Sequence, residues 1–226
     1  YLELAKDYYG PSEIGSLFLC PKHRNKGIGR LLSLSRFLFI KSNPDLFTKT
    51  IIAELRGFLY KNNVSPVWNA IGKKFMGLSF TKADIESVKD IHYIPNNFPK
   101  KPIYFQLISE KAIQYFKEVH PFTEPAKQLL LSENFSITNH IDIFDGGPKL
   151  ECNTIGIRTI KNAKSIPFNK FEDYIDRNNN YLACNQNLKS FYCTKITKNT
   201  TLNTLKKNLN LKTNDNIFII KEREWT

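Results

Sequence analysis

Between Ile14 and Pro44 the chain carries three segments in a fixed order: a short apolar run, a basic turn with two glycines, and a long amphipathic stretch. Ile14 to Leu19 is short and mostly apolar, which reads as a buried strand, and Cys20-Pro21 ends it. The turn is Lys22-His23-Arg24-Asn25-Lys26, followed by Gly27 and Gly29. Leu31, Leu32, Leu34, Phe37, Leu38 and Ile40 then recur at helical spacing until Pro44 stops the helix. A strand that feeds a helix through a glycine turn is a unit of layered α/β folds.

The same turn constrains chemistry. A helix N-terminus has unsatisfied N–H groups and a partial positive charge. Glycines let a ligand approach the backbone with no Cβ in the way. Phosphates suit such a place, and His23, Arg24 and Lys26 add charge around it. The spacing is not that of a Walker loop. It is not a full dinucleotide fingerprint either, because Leu32 stands where the third glycine would fall.

Further along, Ile51 to Leu55 reads as a second buried strand. Ser65-Pro66 opens a helix through about Phe75, with Ser as N-cap and Pro in the first turn. Helices are expected over Lys82–Val88, from Ser109 through about Val119, and from Pro125 through about Ser132. Ile137 to Phe144 reads as a strand, and Asp145-Gly146-Gly147-Pro148 as a turn. Past Cys152 the segments become short and rich in Asn, Lys and Thr. Strands are expected near Gly156–Ile160, Tyr181–Cys184, Phe191–Ile196 and Ile217–Ile220, with a helix over Thr204–Leu209. The boundary falls within 146–153. It divides an α/β core (residues 1–150, a partly parallel sheet flanked by helices) from a small β-rich subdomain (residues 151–226).

Composition narrows the function classes. The chain has 226 residues and a formal net charge of +12, but no block of five or more like charges. Nucleic-acid binding is therefore not the reading, and the positive field equally suits a polyanionic cofactor. No apolar run reaches the roughly 18 residues needed to cross a bilayer. Cys20, Cys152, Cys184 and Cys193 show no paired C-x-x-C spacing, and with four histidines no metal cluster is visible. Tyr1 to Gly10 carries charges and no apolar signal-peptide region, so the expectation is a cytoplasmic protein with reduced thiols.

Arg24-x-x-Gly27-x-Gly29 after a strand resembles the pyrophosphate loop of the GCN5-related (GNAT) N-acetyltransferases, which holds coenzyme A there. Longer strings carry a closer resemblance. Leu17-Phe18-Leu19, Ser35-Arg36-Phe37-Leu38-Phe39, Ala53-Glu54-Leu55-Arg56-Gly57, Ser65-Pro66-Val67-Trp68, Val119-His120-Pro121 and Asp142-Ile143-Phe144-Asp145-Gly146-Gly147-Pro148 are similar to arginine N-succinyltransferase, in the family's order. The likeness covers Glu13 to about Ile160.

The resemblance implies a GNAT-like mixed sheet flanked by helices and a bacterial enzyme of arginine catabolism. That enzyme moves a succinyl group from succinyl-CoA to the α-amino group of L-arginine. It implies cofactor contacts at Leu17, Arg24, Lys26, Gly27 and Gly29, a proton donor at His120, and no metal. A histidine donates a proton near neutral pH, which suits a leaving thiolate. The acceptor needs partners of both signs, for which Glu54, Arg56 and Glu124 are the candidates. Asp142 and Asp145 equally suit turn partners for Gly146-Gly147. Cys20 as a covalent nucleophile lacks an assigned base, so a bland thiol is expected. The family has a substantial N-terminal part ahead of the matched region, which implies a homo- or hetero-oligomer. Two other readings stay open: another acyl-CoA-dependent N-acyltransferase on the same scaffold, and a truncated, partner-dependent subunit that does not turn over alone.

Overall fold

The computed structural model describes residues 1–5, 10–24 and 27–222. In chain order the elements are β1 (Ser12–Glu13), α1 (Ile28–Ser42), β2 (Thr50–Glu54), α2 (Pro66–Ala70), α3 (Gly72–Met76), α4 (Phe80–Lys89), α5 (Tyr93–Asn97), α6 (Glu110–Ile113), α7 (Glu124–Ser132), β3 (Ser136–Ile141), β4 (Pro148–Asn153), α8 (Arg158–Asn162), β5 (Lys164–Pro167), β6 (Tyr181–Asn185), β7 (Cys193–Ile196), α9 (Leu202–Asn208) and β8 (Asn216–Lys221). They form two compact units, Tyr1–Gly15 with Ile51–Cys152 and Ser16–Thr50 with Asn153–Thr226.

The first unit carries a mixed four-stranded sheet in the order β1-β2-β4-β3. β1 runs parallel to β2, with Glu13 beside Ile52, and β3 runs antiparallel to β4 with a register shift between Ile137 and Ile141. Ile51, Ile52, Ala53 and Leu150 are buried in it. The α2 N-terminus forms as Ser65-Pro66 dictates. The Ser65 side chain accepts the Trp68 N–H at 2.9 Å and donates to the Phe144 carbonyl at 2.7 Å. Trp68 is fully buried, stacks on Phe144 at 5.1 Å, and donates its indole N–H to Leu78 O. The expected single helix through Phe75 breaks at Ile71, whose backbone leaves the helical region. A Cβ on Gly72 would lie 2.2 Å from the Trp68 ring, so the indole occupies the space where a side chain would pack.

The expected helix from Ser109 to Val119 is shorter than its pattern. α6 ends at Ile113, Lys117 takes φ 65°, and its N–H bonds Gly146 O at 2.8 Å. That turn leaves Val119 to form a β-bridge with Gly57.

The second unit is an antiparallel sheet in the order β5-β8-β6-β7 with α1, α8 and α9. Ile166, Phe171, Ala183, Ile196, Leu205, Leu209 and Ile217 form its core. The strands expected near 181, 191 and 217 are present as β6, β7 and β8. The helix expected over 204–209 is α9, capped by Thr201. The strand expected near Gly156 is absent. Asn153 accepts the Ile155 N–H with its side chain and starts a helical turn that continues into α8.

Segment 16–50 groups with the C-terminal residues, whereas the sequence reading placed it in residues 1–150. The cause is the apolar stripe of α1. Leu34, Phe37, Leu38 and Ile40 are buried, and the helix packs on α8, β6 and β7. Phe39 meets Phe191 edge-to-face at 5.1 Å, and Ser42 Oγ lies 3.9 Å from Cys184 Sγ. Among the described residues no helix is long and apolar enough to cross a membrane.

Candidate active site

The glycine turn lies in the second unit. Residues 14–19 do not form the strand expected of them. Ser16 takes φ 53°, which interrupts an extended chain, and Leu17 and Phe18 are 42% and 71% exposed. An apolar run is a strand only when a partner strand and a core receive it. The short strand lies earlier, at Ser12–Glu13. Arg24 holds the loop shape: its Nε donates to Leu19 O at 2.9 Å, and its guanidinium lies 5.8 Å from the Phe18 ring centroid.

Gly27 is the N-cap of α1 at φ 76°, a left-handed conformation that glycine adopts without penalty. A Cβ there would meet nothing within 4 Å, and one on Gly29 would touch only Leu19 Cδ2 at 3.5 Å. The Leu31 N–H donates to the Gly27 carbonyl at 3.0 Å, closing the first turn of the helix. Among the described residues the helix start has no side-chain cap and no acidic residue in its first turn. Among the described residues it is thus a positive helix end that no side chain caps. Lys26 lies outside the described residues.

His120, Glu54, Arg56 and Glu124 all lie in the first unit. The bridge between Gly57 and Val119 sets two of them side by side, because the His120 N–H donates to Arg56 O at 2.9 Å. His120 is half-buried and precedes a helical turn, Pro121–Thr123, whose Phe122 N–H donates to His120 Nδ1 at 3.2 Å. A ring nitrogen that accepts carries no proton, so the neutral imidazole holds its proton on Nε2. The Arg56 guanidinium is exposed and donates to the Asn63 side chain at 3.3 Å. Glu124 faces its own helix: it accepts from Gln128 at 2.6 Å and lies 3.6 Å from Lys127 Nζ. This is the usual arrangement of an acid at a helix start.

Asp142 and Asp145 are turn partners. Asp142 Oδ1 accepts the N–H groups of Phe144 and Asp145, and Asp145 Oδ1 accepts that of Gly147. The turn presses against the end of β2. A Cβ on Gly57 would lie 2.3 Å from Asp145 O, and one on Gly147 would lie 1.9 Å from Leu55 O. Burial, then the neighbouring Asp145 charge, push the Asp142 carboxyl up to about 6.

Two cavities open on this unit. One, of about 530 Å³, lies over one face of the sheet, and Glu13, Ile52, Glu54 and Asp142 are among its walls. The other, of about 510 Å³, is lined by Arg56, Asn63, Asp84 and Asp145, again with Glu54 and Asp142. Glu13 carried no motif, and only the β1–β2 register reveals its place. Among the described residues no group of three or more His, Cys, Asp or Glu is arranged to hold a metal.

Known proteins are similar to this chain. A family model described as arginine N-succinyltransferase beta subunit matches residues 1–159. Arginine N-succinyltransferases of Escherichia coli O6:H1 and of Salmonella paratyphi B are 40% identical over 166 residues. Each match takes in 73% of this chain and 48% of the relative, so the chain spans about half the length of these curated relatives. The solved structure of arginine/ornithine succinyltransferase subunit AI from Pseudomonas aeruginosa aligns with TM-score 0.75 and 24% identity, over 92% of this chain and 62% of that one. It shows that the two share a fold. With 159 of 226 residues matched by the family model, the chain belongs to the arginine N-succinyltransferase family.

Proposed function

We propose that this chain transfers a succinyl group from succinyl-CoA to the α-amino group of L-arginine, giving N2-succinylarginine and free CoA. The observation that carries the reading is His120, whose Nδ1 is occupied by the Phe122 N–H, so that the proton sits on Nε2. The neutral amine attacks the thioester carbonyl, a C–N bond forms, and a tetrahedral oxyanion results. Collapse breaks the C–S bond, and His120 Nε2–H hydrogen-bonds the departing thiolate. The proton that the amine loses passes to solvent or to a carboxylate, and the sulfur takes up one proton from solvent. A preorganised donor of this kind contributes about 10²–10³-fold.

In this reading the α1 N-terminus with Gly27 and Gly29 cradles the CoA pyrophosphate, flanked by Arg24 and Lys26. The backbone at Leu17 faces the thioester end of the cofactor. Glu54 and Arg56 meet the acceptor's cationic and carboxylate ends. Glu124 is the weakest of the acceptor candidates, because Gln128 and Lys127 already engage it. The words "subunit" in the family description and in the solved structure favour a second reading, in which turnover requires an assembled partner. The test is mass spectrometry of the amino acid after incubation with succinyl-CoA, with acetyl-CoA as control. Succinylated arginine supports the proposal. Acylation from acetyl-CoA at an equal rate would point to another acyltransferase, and an unmodified arginine pool from a folded sample to the partner-dependent reading.

A further inference from the structure

The second unit holds a pair of thiols that the transferase reading does not use. All four cysteines are free thiols. Cys20 precedes α1 and Cys152 lies in the first unit, whereas Cys184 and Cys193 are direct partners across the antiparallel β6–β7 pair. The next pair along that ladder is Asn185 and Tyr192, where the Asn185 N–H donates to Tyr192 O at 3.1 Å. Hydrogen-bonded and non-hydrogen-bonded pairs alternate in an antiparallel ladder, so Cys184 and Cys193 form a non-hydrogen-bonded pair. Such a pair sets its Cα atoms about 4.5 Å apart, with both side chains close together on one face. A disulfide bridges Cα separations of about 4.4–6.8 Å.

The register of the pair is held by the residues beside it. Asn185 is buried and donates its side-chain amide to Ser190 O at 2.7 Å and to Leu209 O at 3.0 Å, while its Oδ1 accepts the Tyr192 N–H at 3.0 Å. In the loop, Asn187 Oδ1 accepts the N–H groups of Lys189 and Ser190. These bonds oppose a slip by one residue, which would turn one thiol to the opposite face. Cys184 is buried and lies against the end of α1, with Ser42 Oγ 3.9 Å from its Sγ. Cys193 is half-buried on β7, an edge strand of the sheet. Burial raises both thiols, and the Cys184 charge raises Cys193 further, as two neighbouring sulfurs should.

We propose that Cys184 and Cys193 are an oxidisable dithiol, which a small peroxide converts to a cross-strand disulfide that fastens the edge strand β7 to β6. Cys193 is the member that peroxide reaches. It loses its proton to solvent, and the thiolate attacks one oxygen of hydrogen peroxide. An S–O bond forms, the O–O bond breaks, and the sulfur is oxidised by two electrons to a sulfenic acid as hydroxide leaves. Cys184 then loses its proton and attacks that sulfur. An S–S bond forms, the S–O bond breaks, and a second hydroxide leaves. The two protons neutralise the two hydroxides, so two thiols and one peroxide give one disulfide and two waters. The raised thiols make the first step slow, so the pair stays reduced through brief exposure and closes under sustained exposure. A small thiol reagent reverses the bridge by exchange.

The test is prolonged incubation of the full chain with hydrogen peroxide, then blocking of the remaining thiols in denaturant, trypsin digestion and mass spectrometry. Trypsin cleaves after Lys189, between the two cysteines, so the bridge is read as peptides 178–189 and 190–195 joined, lighter than their sum by two hydrogens. Dithiothreitol should separate them. Cys184→Ser and Cys193→Ser should each abolish the joined species. The bridge closes a loop of about ten residues, so the oxidised chain should melt roughly 5–10 °C above the reduced one.

Joined peptides from a monomeric chain support the proposal, and this result in the unaltered protein needs no variant to fold. Cys193 carried on to the sulfinic acid beside an intact Cys184 thiol would show that the partner is out of reach and overturn it. A bridge to Cys20 or Cys152, or one between two chains, would do the same. So would both thiols intact after Cys20 is fully oxidised. A bridged chain that melts no higher than the reduced one would overturn the fastening of β7.

Discussion

Gly29→Ala and Gly57→Ala are the same chemical change in two surroundings, and the structure gives them opposite outcomes. A Cβ on Gly57 would lie 2.3 Å from Asp145 O and 2.6 Å from Gly147 N. Both neighbours are backbone, held in a turn whose hydrogen bonds are already made, so neither can swing aside. Overpacking of this kind costs about 3 kcal/mol or more. At about 2–4 °C per kcal/mol for a chain of this size, the melting temperature should fall by roughly 6–12 °C. Gly29 lies within α1, and its added Cβ would touch only Leu19 Cδ2 at an ordinary 3.5 Å. Alanine in a helix is favoured over glycine by up to about 1 kcal/mol, so the melting temperature should hold or rise by a few degrees. Yet the new methyl group occupies the approach to the helix end. Loss of even one phosphate hydrogen bond there should weaken CoA by about tenfold or more. Circular dichroism melts and CoA titration of the two variants read both quantities. A stable Gly57→Ala would refute the packing argument, and CoA affinity unchanged in Gly29→Ala would remove the glycine loop from cofactor binding.

Other outcomes follow from the same structure. His120→Ala should lower turnover by about 10²–10³-fold with CoA affinity retained, and near-normal turnover would retire the donor. The folded Asp142 carboxyl, pushed up to about 6 by burial and then by the neighbouring Asp145 charge, holds its proton more tightly than in the unfolded chain. Its stabilising share is therefore full at pH below about 4 and is lost as pH rises through about 6. Asp142→Asn should remove that slope between pH 4 and 6 and raise the melting temperature at pH 7.5, and melts at both pH values check it. An Asn variant with the wild-type slope would contradict the buried-carboxyl account. Burial pushes the Cys184 and Cys193 thiols up to about 12, which leaves about one thiolate in ten thousand at pH 8. Native maleimide labelling should spare both while the unfolded chain reacts fully, and labelling of either at the unfolded rate would show that the second unit opens. Cys20→Ala should leave turnover largely intact, and its loss in a folded variant would revive a covalent route.

What the sequence reveals depends on whether a segment's neighbours are local. The α1 helix is readable because its signal is internal: apolar residues at helical spacing, glycines before, Pro44 after. The Ser65 cap and the Asp142 turn are readable for the same reason. Residues 14–19 mislead because an apolar run carries no information on whether a partner strand receives it. Gly156–Ile160 misleads because short apolar runs fit strand and helix alike, and the Asn153 cap decides between them. Glu13 is silent because its place comes from the register of a two-residue parallel strand. At the site, the identity of His120 came from its resemblance to a family string. Its tautomer came only from the Phe122 N–H, a contact no spacing encodes.

The central claim is that this chain is a succinyl-CoA-dependent acyltransferase with a basic amino acid as acceptor. Thiol release from succinyl-CoA by the purified full chain, with and without L-arginine, tests it most directly. The account predicts release that depends on arginine, exceeds that from acetyl-CoA, and falls with His120→Ala. Release at the same rate with and without arginine, or none from a folded chain that binds both ligands, would contradict it.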